Sequence, residues 1–195
     1  MGGSNSIDKE KAFRDLLPTT TIKDTLLAGH TWKVAQTTLP LWLKGDKLSP
    51  RLTYTQDSQS PERIHDLVQY INEKGKSESI HGGDTWPEGS ECPAYLLWRG
   101  TGALALITSE WYVLHVSEKT ISKESTVPKF VIIYFLSTMF TPEGMDVLTP
   151  VVEGVPVDEE ALSAEVEAAK AKFTMLSDVF DALKPTPNPP AEALM

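Results

Sequence analysis

The sequence predicts a mainly β protein, an antiparallel barrel or sandwich with a short helix before the strands and a long helix after them. Between residues 30 and 140, short segments rich in Thr, Val, Tyr and Trp alternate with Pro, Gly and Asp, which is typical of strands separated by turns. No helical pattern lies between these segments, so antiparallel strands are expected rather than a parallel α/β sheet. Hydrophobic residues make up 41% of the chain, enough for a real core.

The composition narrows the class of protein. A chain of 195 residues fits one domain with arms. Its formal net charge of −9 disfavours nucleic acid and anionic membrane as partners, since both attract clustered Lys and Arg. No run of about 18 apolar residues is present, so no membrane span is expected. The single cysteine, Cys92, allows neither an internal disulfide nor a cysteine zinc site. Together with a start that lacks a secretory signal pattern, these features predict a cytoplasmic protein.

Residues 1–25 are expected to form an N-terminal arm. Within it, residues 8–17 predict a short helix that ends before Pro18, because Phe13, Leu16 and Leu17 share one helical face. The opening residues also match the pattern for acylation of Gly2, but no polybasic segment follows to supply a second membrane signal.

The strands are predicted within residues 26–150. The longest apolar run, Tyr95–Val116, is interpreted as two adjacent strands joined by a tight turn around Ser109. Pro40 is expected at an edge or a bulge, because proline cannot donate to a ladder. Residues 72–76 have the composition of a hairpin loop. The predicted strands are Trp32–Trp42, Arg51–Gln56, Ile64–Asn72, Ser77–Asp84, Tyr95–Ile107, Trp111–Ser117 and Phe130–Phe140.

The region 151–184 predicts one long helix, which begins after Asp158 as N-cap. Its apolar residues repeat at spacings of four and three over about seven turns. This stripe has two interpretations: it packs against the barrel, or it forms the seam of a homodimer, since a seven-residue repeat also suits a coiled coil. The Pro-rich tail, 185–195, is expected to be extended or disordered. The stripe consists of Leu162, Val166, Ala169, Phe173, Leu176, Phe180 and Leu183.

No catalytic, nucleotide-binding or metal-binding motif is present, and no cofactor or metal is expected. The four histidines are scattered along the chain. Polar groups within apolar strands are the candidates for catalysis. Arg99 is suited to hold an enolate or carbonyl oxygen, and His81 to transfer a proton while Asp84 sets its tautomer. The alternative is a structural ion pair of Arg99 with Asp66 or Asp84 that closes one end of the barrel.

Aromatic and hydrogen-bonding side chains on the same strands are expected to line a cavity for a small apolar molecule. They fold a flexible ligand into one shape, which lowers an entropic barrier without a nucleophile. Trp98 and Arg99 point to opposite faces of an ordinary strand, so only one of them is expected to line the interior. The candidate ligand-binding residues are Trp32, Tyr54, Tyr70, Trp98, Trp111, His115 and Tyr134.

Several motifs along residues 26–150 together resemble a group of fungal lipocalin-like proteins. They are W-x-V-x-x-T-T-L-P-L-W (Trp32–Trp42), L-T-Y-T (Leu52–Thr55), H-D-L-V-Q-Y (His65–Tyr70), I-H-G-G-D-T (Ile80–Thr85), L-W-R-G-T-G (Leu97–Gly102), S-E-W-Y-V-L (Ser109–Leu114) and T-M-F-T-P-E-G-M-D (Thr138–Asp146). The resemblance implies a calycin-type barrel with an apolar cavity. The chain departs from the group at Thr101, where a lysine is expected, and at Glu110-Trp111-Tyr112, where His-Trp-Glu is expected.

Members of that group in natural-product pathways include pericyclases and isomerases that work without a cofactor. The resemblance therefore implies cyclisation or isomerisation of an apolar polyketide or terpenoid intermediate. Two alternatives remain open from the sequence: a carrier that uses the same cavity without catalysis, and an interaction protein that acts through the C-terminal helix.

Overall fold

The structure is a computed structural model that describes residues 11–19, 26, 31–118, 127–139 and 141–189. A short helix at residues 11–15, α1, precedes the sheet. Eight antiparallel strands then follow in sequence order, and β1 pairs with both β8 and β2, which closes the sheet into a barrel. The strands are β1 Thr31–Thr37, β2 Lys47–Gln56, β3 Arg63–Asn72, β4 Ser77–Thr85, β5 Tyr95–Gly100, β6 Thr108–Val116, β7 Val131–Phe135 and β8 Gly144–Pro150. The prediction of a lipocalin-like antiparallel barrel is confirmed.

Alternation of side chains explains why these segments form a closed barrel. Along β3, Ile64, Asp66, Val68 and Tyr70 are buried inside, while the residues between them face outward. The loops after β1, β3, β5 and β7 share one end of the barrel, called here the upper end. At the opposite end Trp32 is fully buried, and its indole nitrogen donates to the Leu26 carbonyl at 3.2 Å.

Three predicted strands are shorter than expected, and one of them, predicted at Phe130–Phe140, spans only Val131–Phe135. The strand predicted at Trp32–Trp42 ends at Thr37, and Pro40 begins a one-turn helix, α2 (Pro40–Leu43), where its fixed φ suits the first helical position. The strand predicted at Tyr95–Ile107 ends at Gly100, and a 3-10 turn at Gly102–Leu104 reverses the chain.

The turn predicted around Ser109 is therefore wrong, because Thr108 already begins β6. β8 was not among the predicted strands, since its Gly144, Asp146 and Pro150 resemble the residues of a loop. The hairpin loop predicted at residues 72–76 is confirmed: Asn72 Oδ1 accepts from the Lys74 and Lys76 amides, and Gly75 has a φ of +73°.

The single long C-terminal helix is a correction. Helix α3 spans Glu159–Lys172, and the Asp158 carboxylate caps it by accepting from the Ala161 amide at 3.0 Å. The helix ends at Phe173, whose backbone (φ −105°, ψ 60°) leaves the helical region. A 3-10 turn and a short helix, α4 (Ser177–Asp181), follow.

The apolar stripe of this region packs on the barrel of its own chain. From Leu162 to Phe180 the stripe residues are each 9% exposed or less. The interpretation that the stripe packs against the barrel is confirmed, and its use as a homodimer seam requires side chains that are already buried within one chain. No helix in the described ranges is long and apolar enough to cross a membrane.

The described part of the Pro-rich tail is an ordered strap. A ninth strand, β9 (Lys184–Pro185), pairs with the end of β1 just beyond a bulge. The Thr186 hydroxyl then donates to the Val34 carbonyl at 2.5 Å, and the Ser49 amide of β2 donates to the Pro187 carbonyl at 3.0 Å. The tail thus bridges β1 and β2, whose direct pairing covers only Thr31–Lys33 on the β1 side.

Candidate functional site

Trp98 lines the barrel interior and Arg99 faces outward. The Trp98 indole lies directly on Gly82 of the neighbouring strand, where its nitrogen is 2.1 Å from the place that a Cβ would take. The Arg99 side chain is exposed and donates from Nη1 to the Ala105 carbonyl at 3.2 Å. Gly82 therefore serves a close approach of the protein's own tryptophan.

Two carboxyl groups lie side by side within the barrel, and we call Asp66 and Asp84 the carboxyl pair. Asp66 is 8% exposed and Asp84 is fully buried. The Trp111 indole donates to Asp84 Oδ1 at 2.8 Å, and the Trp98 indole forms a hydrogen bond with Asp66. Asp66 Oδ1 and Asp84 Oδ2 have no hydrogen-bond partner. A buried carboxyl oxygen without a hydrogen-bond partner is rare, because nothing compensates for the loss of its hydration.

Aromatic rings surround the carboxyl pair. Tyr54 of β2 is opposite Asp66 in the register and is 3% exposed. Its ring centroid lies 6.1 Å from that of Trp111, which in turn lies 6.3 Å from that of Phe135. The interior therefore combines acidic oxygens with aromatic faces.

Burial dominates the electrostatics of the pair. It raises the pKa of Asp66 to about 7, against the opposing effect of the Trp98 hydrogen bond. It raises the pKa of Asp84 well above its ordinary range, and the charge of Asp66 adds to that shift while the Trp111 hydrogen bond opposes it. Burial, with the charges of three interior aspartates, also raises the pKa of Tyr54. Two adjacent buried carboxyls resist joint ionisation, so the pair holds a proton near neutral pH.

A third interior carboxyl, Asp146, lies toward the upper end and has partners on both oxygens. The Thr37 hydroxyl donates to Oδ1 at 2.5 Å and the Trp42 indole donates to Oδ2 at 3.2 Å. Burial raises its pKa to about 7, against both hydrogen bonds. Asp146 was not among the site residues predicted from the sequence. The sequence feature that could have indicated this residue is a carboxylate within the apolar run M-D-V-L (Met145–Leu148).

The three predicted catalytic residues do not come together. His81 is exposed and lies with its Nε2 3.0 Å from the Ser79 hydroxyl, whereas Asp84 is inside the barrel. Residues three apart on a strand point to opposite faces, which separates His81 from Asp84. The alternative ion pair of Arg99 with Asp66 or Asp84 is wrong for the same reason, since Arg99 is outside.

Five of the seven predicted ligand-binding residues face the interior, and two lie outside the barrel. His115 contacts Glu165 of α3 with 2.6 Å between Nε2 and Oε2. Tyr134 packs under α1 and donates from its hydroxyl to Glu143 at 2.6 Å. A bulge in β6 between Val113 and His115 shifts the alternation there. The interior five are Trp32, Tyr54, Tyr70, Trp98 and Trp111.

The described residues include no group of three or more His, Cys, Asp or Glu side chains that is placed to hold a metal ion. None of their Lys, Arg or His side chains forms an ion pair with Asp66, Asp84 or Asp146. The described residues of the barrel interior therefore offer carboxyl groups, indole N–H groups, hydroxyl groups and aromatic faces.

Comparisons with known proteins show the fold. The chain matches no protein-family model, and no curated protein is similar to it in sequence. Solved lipocalin-type barrels are similar in structure. H1 crustacyanin from the lobster Homarus americanus has a TM-score of 0.57 and 13% identity, over 93% of this chain and 85% of that chain. The allergen Per a 4 from cockroaches has a TM-score of 0.56 and 13% identity, over 89% and 91% of the two chains.

The amine-binding protein of Rhodnius prolixus also has this barrel. Its TM-score is 0.53 and its identity is 10%, over 87% of this chain and 83% of that chain. At these identities the likeness is one of fold alone.

Proposed function

We propose that this chain binds one small, largely apolar molecule inside its barrel and acts as a carrier or binding protein. The observation that carries the proposal is the carboxyl pair, whose two free oxygens are buried in the barrel interior near aromatic rings. Unsatisfied buried polar groups weaken a purely structural core. An eight-stranded barrel is wide enough for one small ligand. Unsatisfied polar groups inside such a barrel are suited to bind the polar part of that ligand.

The upper end of the barrel suits ligand entry. Trp98, beside the carboxyl pair, is partly exposed, and we infer that a change of its rotamer opens a path to the pair from this end. A cleft of about 320 Å³ lies between the loops that join β5 to β6 and β7 to β8. Leu106 and Met139 on these loops are 94% and 91% exposed, so the rim offers apolar surface to an approaching ligand.

The structural neighbours support binding as the leading function. The solved structure of the Rhodnius amine-binding protein, which has a barrel of this type, is a tryptamine complex. The fold does not depend on a disulfide, since Cys92 is the only cysteine, and this suits a protein of the cytoplasm.

Cyclisation or isomerisation of a polyketide or terpenoid intermediate is the second candidate. The observation that favours it is Asp84, because a buried carboxyl with a raised pKa keeps a proton that it can donate to a reacting carbonyl or alkene. The roles first assigned to His81 and Arg99 do not contribute from outside the barrel. In such an enzyme Asp84→Asn abolishes turnover and retains binding, whereas a carrier has no turnover to lose.

A neutral fluorescent probe tests the binding function. We expect N-phenyl-1-naphthylamine to bind saturably with one site per chain, and Trp111→Phe to weaken its affinity roughly 5- to 10-fold through lost indole contact and the lost hydrogen bond to Asp84. Tyr112→Phe is the matched control, since the next residue faces outward against Phe13. Equal effects of the two substitutions, or no saturable binding by the parent, would contradict the proposal.

A further inference from the structure

We propose, on the basis of the binding function above, that the ligand is an organic cation, a protonated amine with an apolar body, whose nitrogen binds between Asp66 and Asp84. The carboxyl pair presents two free acceptor oxygens and no free donor when it is ionised. A primary ammonium has three donors and no acceptor, so it complements the pair. A carboxylate or phosphate ligand is repelled by the same two groups.

The charge inside the barrel has one sign. The charges of Asp66, Asp84 and Asp146 all act on Tyr54 of β2, and each of these four groups is neutral or negative. The strands beside the pair, β5 and β6, contribute the indoles of Trp98 and Trp111. Within the described residues no basic side chain balances these aspartates, so a positive ligand supplies the missing charge.

The register brings the two carboxyls within reach of one nitrogen. Asp66 is opposite Gly82, and Asp84 is two residues further along β4 on the same face. Diagonal neighbours of this kind have Cα atoms about 7–8 Å apart, so their side chains can meet on a single bound group. The free oxygens belong one to each residue, and Asp84 keeps the Trp111 indole as donor to its other oxygen.

The surrounding rings suit the same ligand. Indole and phenol faces attract a cation within about 6 Å of the ring centroid, most strongly where water is excluded. Tyr54, Trp98 and Trp111 supply such faces next to the carboxyls. They also pack against an apolar body, so one site satisfies both parts of an aryl- or alkylamine.

A proton and an ammonium compete for this site. Binding of the amine therefore releases the proton held by the carboxyl pair, and affinity rises with pH until the amine itself loses its proton. The rise follows titration of Asp66 and Asp84, with Tyr54 as the other titratable group that faces them and Asp146 as a further group that acts on Tyr54.

Two ligands of matched shape test the inference. Isothermal titration calorimetry at pH 7.5 compares 2-(1-naphthyl)ethylamine with 2-(1-naphthyl)ethanol. We expect the amine to bind at least 10-fold more tightly, and Asp66→Asn or Asp84→Asn to bring the two affinities within about 2-fold of each other. Asp146→Asn is the matched control and keeps the preference for the amine, because both oxygens of that carboxyl already have partners.

The outcomes separate this inference from the binding function. If the alcohol binds as tightly as the amine, or more tightly, the inference that the ligand is a cation is wrong. The proposed binding function is not affected by that result. If neither ligand nor N-phenyl-1-naphthylamine binds, both are overturned. If the Asn variants fail to fold, the parent protein is titrated in two buffers of different ionisation enthalpy, which measures the protons released on binding. The inference requires proton release with the amine and none with the alcohol.

Discussion

Neighbouring side chains on one strand can lie in the barrel interior and in solvent. Trp98 and Arg99 of β5 are such a pair, and the composition of the site depends on which of them is inside. Trp98 enters the barrel because Gly82 leaves room for its ring, while Arg99 extends into solvent. The same alternation buries Asp84 and exposes His81 on β4. The residues that define the interior chemistry are thus carboxyls with indole donors, and the exposed cations play no part in it.

The pH dependence of stability tests the burial of one carboxyl, Asp146. Its pKa is about 7 in the folded chain against an ordinary 3.8, so between about pH 4 and pH 7 the unfolded chain loses a proton that the folded chain keeps. The free energy of unfolding therefore falls as pH rises through that window. The amide oxygen introduced by Asp146→Asn still accepts from the Thr37 hydroxyl, and the amide cannot ionise. We expect Asp146→Asn to gain about 2–3 kcal/mol relative to the parent between pH 5 and pH 8.

Urea unfolding at the two pH values measures this gain. Glu167→Gln, on the exposed face of α3, is the control and changes the free energy of unfolding by a similar small amount at both pH values. An Asp146→Asn difference that is the same at pH 5 and pH 8 would mean that this carboxyl titrates normally in the folded chain.

At the scale of elements, the C-terminal region combines a broken helix with a strap. The stripe from Leu162 to Phe180 packs on the barrel, and after α4 the chain crosses to the gap between β1 and β2. Thr186 is 5% exposed and its hydroxyl donates to the Val34 carbonyl beside the β1 bulge. The strap therefore completes backbone hydrogen bonds that β1 and β2 do not make with each other.

Replacing Thr186 with Val tests the strap, since the two side chains have nearly the same shape. The change leaves the Val34 carbonyl without this donor, and we expect the free energy of unfolding to fall by about 1–2 kcal/mol. Thr174→Val at an exposed position is the matched control and changes it by less than about 0.5 kcal/mol. Thermal unfolding followed by circular dichroism is the measurement, and equal effects of the two substitutions would show that the strap adds no stability.

The element scale also shows what local sequence can predict. β3, β4 and β6 were predicted to within three residues at each end, because alternation and turn residues act locally. The end of α3 at Phe173 was not predicted, because the apolar spacing of four and three continues through the break. Phe173 is buried at the break, as the apolar stripe of a continuous helix would also require. β8 was missed because Asp146, the residue that made it look like a loop, has its partners on β1 and α2, more than 100 residues earlier.

At the scale of the whole molecule, the sequence predicted a barrel with an interior site but not the members of that site. Which parity of each strand faces inward depends on the register of all eight strands, and Asp66 meets Asp84 only through the pairing of β3 with β4. From the sequence, Asp66 was predicted as a possible ion-pair partner of Arg99. The closed barrel instead surrounds it with aromatic rings and a second carboxyl, which is the basis for the proposed ligand-binding function.

The indole N–H resonances test that central claim most directly. The five tryptophans give separate signals in a ¹H–¹⁵N spectrum of the labelled protein, recorded during titration with N-phenyl-1-naphthylamine. We predict saturable shifts for Trp98 and Trp111, whose N–H groups bond to the carboxyl pair. The signal of Trp86, whose N–H donates to Pro93 in the loop between β4 and β5, stays in place. A shift of Trp86 with Trp98 and Trp111 unmoved would contradict a ligand site inside the barrel.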